Sequence, residues 1–218
     1  YGFEFLVVDA DLNVLSSYLC DASDCSSAKE VVAGIASSGT YYVLVRSESS
    51  YTTPSGTYTF SATYSADTSG IEFEPNDSST TAQAISSGEA IEGTISAVGD
   101  DDWYVLELGG AGKLTLRMET SESTSTGFEF LVVDADLNVL LSYTCDYSDC
   151  NSADEVIAGI ASSGTYYVLV RSESSYYTPS GSYTMTATYS ADTGGIELEP
   201  NDSSTTAQAI SSGEAIEG

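Results

Sequence analysis

Histidine is absent from this 218-residue chain, and only five lysines and arginines stand against 33 aspartates and glutamates. Without histidine there is no Ser-His or Cys-His nucleophile pair, no histidine-ligated zinc and no imidazole base. The formal charge of -28 repels a phosphate backbone over the whole surface, so nucleic acid is excluded as a partner and an anionic membrane is disfavoured. No apolar run reaches membrane-spanning length, and no membrane insertion is expected in this segment. Paired carboxylates remain as a route to glycoside hydrolysis. In so acidic a chain such pairs arise by chance, and no enzymatic role is expected. The charge does attract divalent cations, calcium first, because carboxylate and carbonyl oxygens are its preferred ligands.

Four cysteines are present, as Cys20 and Cys25 and again as Cys145 and Cys150. The six-residue spacing is the same each time, and a disulfide within each loop is expected. A zinc or redox role is the rival reading, but zinc spacings need further Cys or His nearby. Closing so short a loop constrains the unfolded chain by roughly 2 kcal/mol. Such bridges point to an oxidising, extracytoplasmic setting.

The cysteines recur because the chain does. Residues 2–93 return as residues 127–218, offset by 125, with 80 of the 92 positions identical. A period of this size is one domain that buries its own core, whereas solenoid units repeat every 20 to 50 residues or so. The expected organisation is a partial unit at 1–70, a complete unit at 71–192, and a linker with the first strand of a following unit at 193–218. Both ends fall inside a unit, as expected of a window cut from a longer array.

Within the complete unit, Lys113-Leu114-Thr115-Leu116-Arg117-Met118 alternates strictly, which places Leu114, Leu116 and Met118 on one face. Further strands are expected at 90–95, 103–108, 128–133, 139–143, 156–160, 166–171 and 183–189, with a short turn of helix or strand at 82–85. Gly109-Gly110, residues 134–138 and Ser162-Ser163-Gly164 supply turns between them. About eight short strands and no helical period predict an all-β fold, a sandwich of two layers.

Four pieces of sequence occur in a distinctive order. They are Glu74-Pro75-Asn76-Asp77, Ile91-Glu92-Gly93-Thr94-Ile95, Gly99-Asp100-Asp101-Asp102-Trp103-Tyr104, and Gly164-Thr165-Tyr166-Tyr167 with Gly181-Ser182-Tyr183-Thr184. Together they resemble the bacterial pre-peptidase C-terminal domain, a jelly-roll-like β-sandwich module that trails many secreted proteases and is related to clostridial collagen-binding domains. Phe128-Glu129-Phe130-Leu131 is similar to the family's Asp-Phe-Asp-Leu strand, with Glu129 where Asp is usual. The resemblance implies tandem jelly-roll-like sandwiches and, as in calcium-binding members, an ion shared between the linker and the loop before the Trp-Tyr strand. Carried over by motif, Glu72, Glu74 and Asn76 supply one half, Asp100 and Asp102 the other, with Asp77 an addition. Carboxylates and an amide carbonyl form the hard oxygen shell calcium needs, and alternate residues of an extended linker point the same way. The bland reading is that these acids are merely solvated. The second linker, with Glu197, Glu199 and Asn201, ends before any copy of the Asp-rich loop, so its site is expected to be unfinished.

Asn76-Asp77-Ser78 and Asn201-Asp202-Ser203 match the N-glycosylation pattern. Tyr51, Tyr176 and Tyr177 fall on the hairpin before the last strand, where related collagen-binding modules present aromatic contacts, and a polysaccharide or matrix protein is the kind of ligand they would meet. The expected role is a structural repeat of a long extracellular fibre, stalk or cell-surface adhesin, stiffened by calcium at its linkers and packed head to tail on neighbouring copies. The alternative is a substrate-targeting accessory module of a secreted hydrolase.

Overall fold

The computed structural model describes residues 2–20, 30–47, 54, 56–66, 69–120, 127–145, 154–177 and 182–218. All regular structure among them is β-strand, and the chain divides after Pro75 into two compact units, residues 1–75 and 76–218. No helix among them is long and apolar enough to cross a membrane.

The second unit is a sandwich. One sheet runs β10(Asp154–Ile160), β7(Gly112–Thr120), β12(Tyr183–Ser190), β5(Ala90–Gly93). The other runs β4(Gln83–Ala84), β6(Asp101–Leu108), β11(Gly164–Ser172), β8(Phe128–Asp134), β9(Val139–Cys145). Residues 82–85, left open between helix and strand by the sequence, include the short strand β4, which pairs parallel with β6; the other pairings between these nine strands are antiparallel. The alternation read from the sequence at 113–118 is realised in β7, where Leu114, Leu116 and Met118 are buried and Lys113 and Arg117 face away. Tyr104 and Leu106 of β6, Phe128, Phe130 and Val132 of β8, and Tyr183 and Met185 of β12 meet them between the layers. Burying each such side chain contributes about 1.5–3 kcal/mol.

Turns between strands follow side-chain chemistry. Asp134 Oδ1 accepts the backbone N–H of Asp136 and of Asn138, both at 2.9 Å, and Oδ2 accepts Asn138 Nδ2. Asp9 does the same for Asp11 and Asn13 in the first copy. Each loop carries a leucine in the left-handed region, Leu12 at φ 68° and Leu137 at φ 64°.

The first unit contains β1(Phe3–Val8), β2(Val14–Cys20) and β3(Tyr42–Ser47), in the order β2-β1-β3. These are the counterparts of β8, β9 and β11, in the same order. Residues 30–34 and 58–65, counterparts of most of β10 and of β12, are not strand. In the second unit both pair with β7. Tyr58 and Phe60 are 48% and 52% exposed, where Tyr183 and Met185 are 0%.

Candidate metal centre

The acidic linker is seated on the first unit by its backbone. Glu74 forms a parallel bridge with Ile35, and a Cβ added to Gly34 would lie 1.5 Å from the Glu72 carbonyl oxygen. Only glycine lets the linker lie so close. The second copy repeats the arrangement within its own unit, with Glu199 bridged to Ile160 and a Cβ on Gly159 falling 1.7 Å from the Glu197 carbonyl. Extended backbone sends alternate side chains the same way. Glu72 and Glu74 are both buried.

The second unit carries candidate ligands of its own. Trp103 N–H donates to the Asn76 carbonyl at 3.0 Å, which ties the start of this unit to β6, and the Asn76 side chain is fully buried. Gly99, at φ 85°, turns the chain into the Asp-rich loop, where the buried Asp100 accepts the Ser96 N–H through Oδ2. Strand alternation then separates the next two acids. Asp102 points into the sandwich and is fully buried; its Oδ2 accepts the Tyr183 hydroxyl at 2.5 Å, and the Tyr183 and Tyr104 hydroxyls are 2.5 Å apart. Since Tyr183 gives its one proton to Asp102, Tyr104 donates to Tyr183. Asp101 faces the other way, and burial pushes its carboxyl up, opposed by Arg171 and reinforced by Asp77 and Glu129.

Buried acidic residues that can bind a metal ion thus stand in each unit, Glu72 and Glu74 on the linker that closes the first, and Asp100 and Asp102 in the second, where Asp77 is exposed. The donors fit a hard cation, since all are carboxylates, joined by the buried amide of Asn76. Sequence reasoning named these six residues. It missed the Tyr183 and Tyr104 hydroxyls that hold Asp102, although both tyrosines stand at inward positions of aromatic strands, and it missed Gly34 and Gly159 under the linkers.

Other expected sites are placed as follows. In the second linker Asn201 Nδ2 donates to Glu197 Oε1 and Asn201 N–H to Glu199 Oε2, each at 2.8 Å. A glycan on Asn76 is incompatible with its complete burial, which corrects that expectation; Asn201 is partly exposed. Tyr176 and Tyr177 are strongly exposed, and Tyr51 lies outside the described residues. Cys20 and Cys145 are disulfide-bonded, while Cys25 and Cys150, their expected partners, lie outside the described residues.

No family model and no curated protein matches the chain. Among solved structures it is similar to the pre-peptidase C-terminal domain of collagenase from Bacillus anthracis, at 16% identity and TM-score 0.39 over 49% of this chain and 93% of that one. A Yersinia pseudotuberculosis-derived mitogen matches at 11% identity and TM-score 0.26, over 42% of this chain and 87% of that one. The VP2 subviral particle of infectious bursal disease virus matches at 9% identity and TM-score 0.20, over 88% and 53%. No function passes to this chain from likenesses of this size.

Proposed function

We propose that the chain is a non-catalytic stretch of calcium-binding sandwich modules, one complete and one partial, from a secreted protein, accessory modules of the pre-peptidase C-terminal kind. The observation that carries the reading is the burial of Glu72 and Glu74 in the linker and of Asp100 and Asp102 in the loop of the second unit. Withdrawing a carboxylate from water costs several kcal/mol unless a partner compensates it, and calcium compensates several at once with six to eight oxygen ligands, roughly. Disulfide-bonded cysteines fit an extracellular setting. The complete lack of histidine fits a module that serves another domain's chemistry.

A second reading is favoured by one observation, the near-identity of the two copies. Interchangeable modules suit a fibre, stalk or adhesin built from many of them, in which the ion stiffens each junction and neighbouring copies are the partners. The two readings part at the full-length gene, where a peptidase domain followed by few copies supports the accessory and a long run of copies supports the fibre. In either case a polysaccharide or matrix protein is the ligand class for the exposed Tyr176 and Tyr177.

Calcium is tested by melting the 218-residue chain in calcium and in chelator. The melting temperature is expected to fall in chelator, and Glu72→Gln or Asp102→Ala to abolish the difference. Equal melting in both solutions, with no heat of calcium binding in titration calorimetry, would sink the reading.

A further inference from the structure

We propose that the second unit is a salt-gated fold, marginal in cation-poor medium and stabilised as sodium or potassium rises towards molar concentration, by screening alone and with no bound ion. Between Asn76 and Gly218 stand 23 aspartates and glutamates and three cations, Lys113, Arg117 and Arg171. All three cations are already engaged. Lys113 Nζ lies 3.3 Å from Asp192, Arg171 Nε lies 2.7 Å from Glu129, and Arg117 meets Glu119. The other carboxylates have no cationic side chain of their own.

Strand register decides how closely these charges stand. On the outer face of the sheet β10-β7-β12-β5, Arg117 is opposite Glu155 of β10, and Glu119 follows two residues along β7. Glu119 is in turn opposite Thr184, and Thr184 is opposite Glu92 of β5. On the outer face of the other sheet, Arg171 of β11 is opposite both Asp101 of β6 and Glu129 of β8, and Glu107 stands further along β6. Each arginine thus meets two acids and can neutralise one. Neighbouring strands lie about 4.8 Å apart, and alternate residues about 7 Å apart along a strand. Those spacings fall inside the Debye length of about 10 Å at 0.1 M salt and outside that of about 3 Å at 1 M. Outward carboxylates therefore repel one another across each face in dilute salt and are screened from one another near molar salt.

Folding is what presses the charges together. A chain the length of this unit has a radius of gyration of about 15 Å folded and about 40 Å unfolded, so the repulsion opposes the compact state. Salt weakens the three ion pairs as well. Three attractions are outweighed by the mutual repulsion of all the remaining carboxylates, so the net effect of screening is to stabilise. A secreted module built this way tightens on reaching saline surroundings. The device uses no candidate calcium ligand, so it is tested in chelator, where failure of the calcium reading leaves it standing.

The 218-residue chain is unfolded by urea in chelator, with sodium chloride raised from about 0.01 M to about 1 M, across which the Debye length shrinks from about 30 Å to about 3 Å. Trp103, the only tryptophan, lies in β6, so its fluorescence reports the second unit. The urea midpoint is expected at least to double over the series, and potassium chloride to act like sodium chloride, since screening depends on charge alone. A variant carrying Glu92→Gln, Glu107→Gln, Glu119→Gln and Glu155→Gln removes four exposed charges. Glutamine keeps the oxygens that accept the Ser182 and Thr165 hydroxyls at residues 92 and 107. This variant is expected to have a higher midpoint in dilute salt and at most half the parent's rise. A midpoint that does not move with salt, a rise with one of the two cations only, a variant that rises as steeply as the parent, or a second unit unfolded in chelator at every salt concentration would each overturn the proposal.

Discussion

Asp102 and Tyr183 are the pair on which the candidate centre depends at the scale of single residues. A fully buried carboxylate has two oxygens to satisfy, and the Tyr183 hydroxyl, itself held by Tyr104, takes one of them. That leaves the orientation of Asp102 set from inside the core. Tyr183→Phe keeps the ring against Phe128 and Phe130 and removes only the hydroxyl. A hydrogen bond to a charged group contributes about 1.5–3 kcal/mol, so the variant is expected to lose about 2 kcal/mol in urea unfolding and to bind calcium more weakly. Unfolding at the same urea concentration as the parent would show that the hydroxyl holds nothing. The acids themselves were named from the sequence through the motifs of the family it resembles, and the chemistry of their oxygen donors agrees with that. The hydroxyls were not, because a tyrosine in a strand reads first as core.

Among the elements, the linkers are the informative ones. An acidic, proline-bearing stretch reads as solvated chain, yet Glu74 and Glu199 bridge to Ile35 and Ile160, and glycine beneath each linker makes room. A methyl group on Gly159 would fall on the Glu197 carbonyl. Gly159→Ala is therefore expected to lift the linker and break two bonds, Ala161 N–H to Glu199 and Glu199 N–H to Gly159. Each contributes about 1 kcal/mol. Hydrogen exchange checks this directly: the Ala161 and Glu199 amides should lose protection while β7 and β12 keep theirs. Protection unchanged at both amides would show that the linker tolerates the methyl group.

At the scale of the whole molecule, the two copies of one sequence differ in their pairings. β11 has β6 on one side and β8 on the other, whereas among the described residues β3 pairs with β1 alone, and Tyr42, Val43 and Leu44 of β3 are exposed. Local stability follows buried apolar contacts and paired backbone. Amides of β1 and β3 are expected to exchange at least tenfold faster than those of β8 and β11 in dilute solution. Equal protection of the two sets would contradict this account.

By itself the sequence determined the periodicities, the candidate ligands and the repeat. Alternation of apolar and polar residues places strands wherever a partner exists, and the carboxylates of 72–77 and 100–102 are of the donor type that suits a hard cation. Tertiary structure alone decided which strands form. Residues 183–190 make β12 while residues 58–65, nearly the same sequence, make none; residues 82–93 bury Ile85 and Ile91 while the identical 207–218 leaves Ile210 in solvent. The reason is that a strand is not a local object. Its hydrogen bonds and half of its buried surface belong to neighbours such as β7 and β12, so the same residues form a strand only where the described residues set such a neighbour beside them.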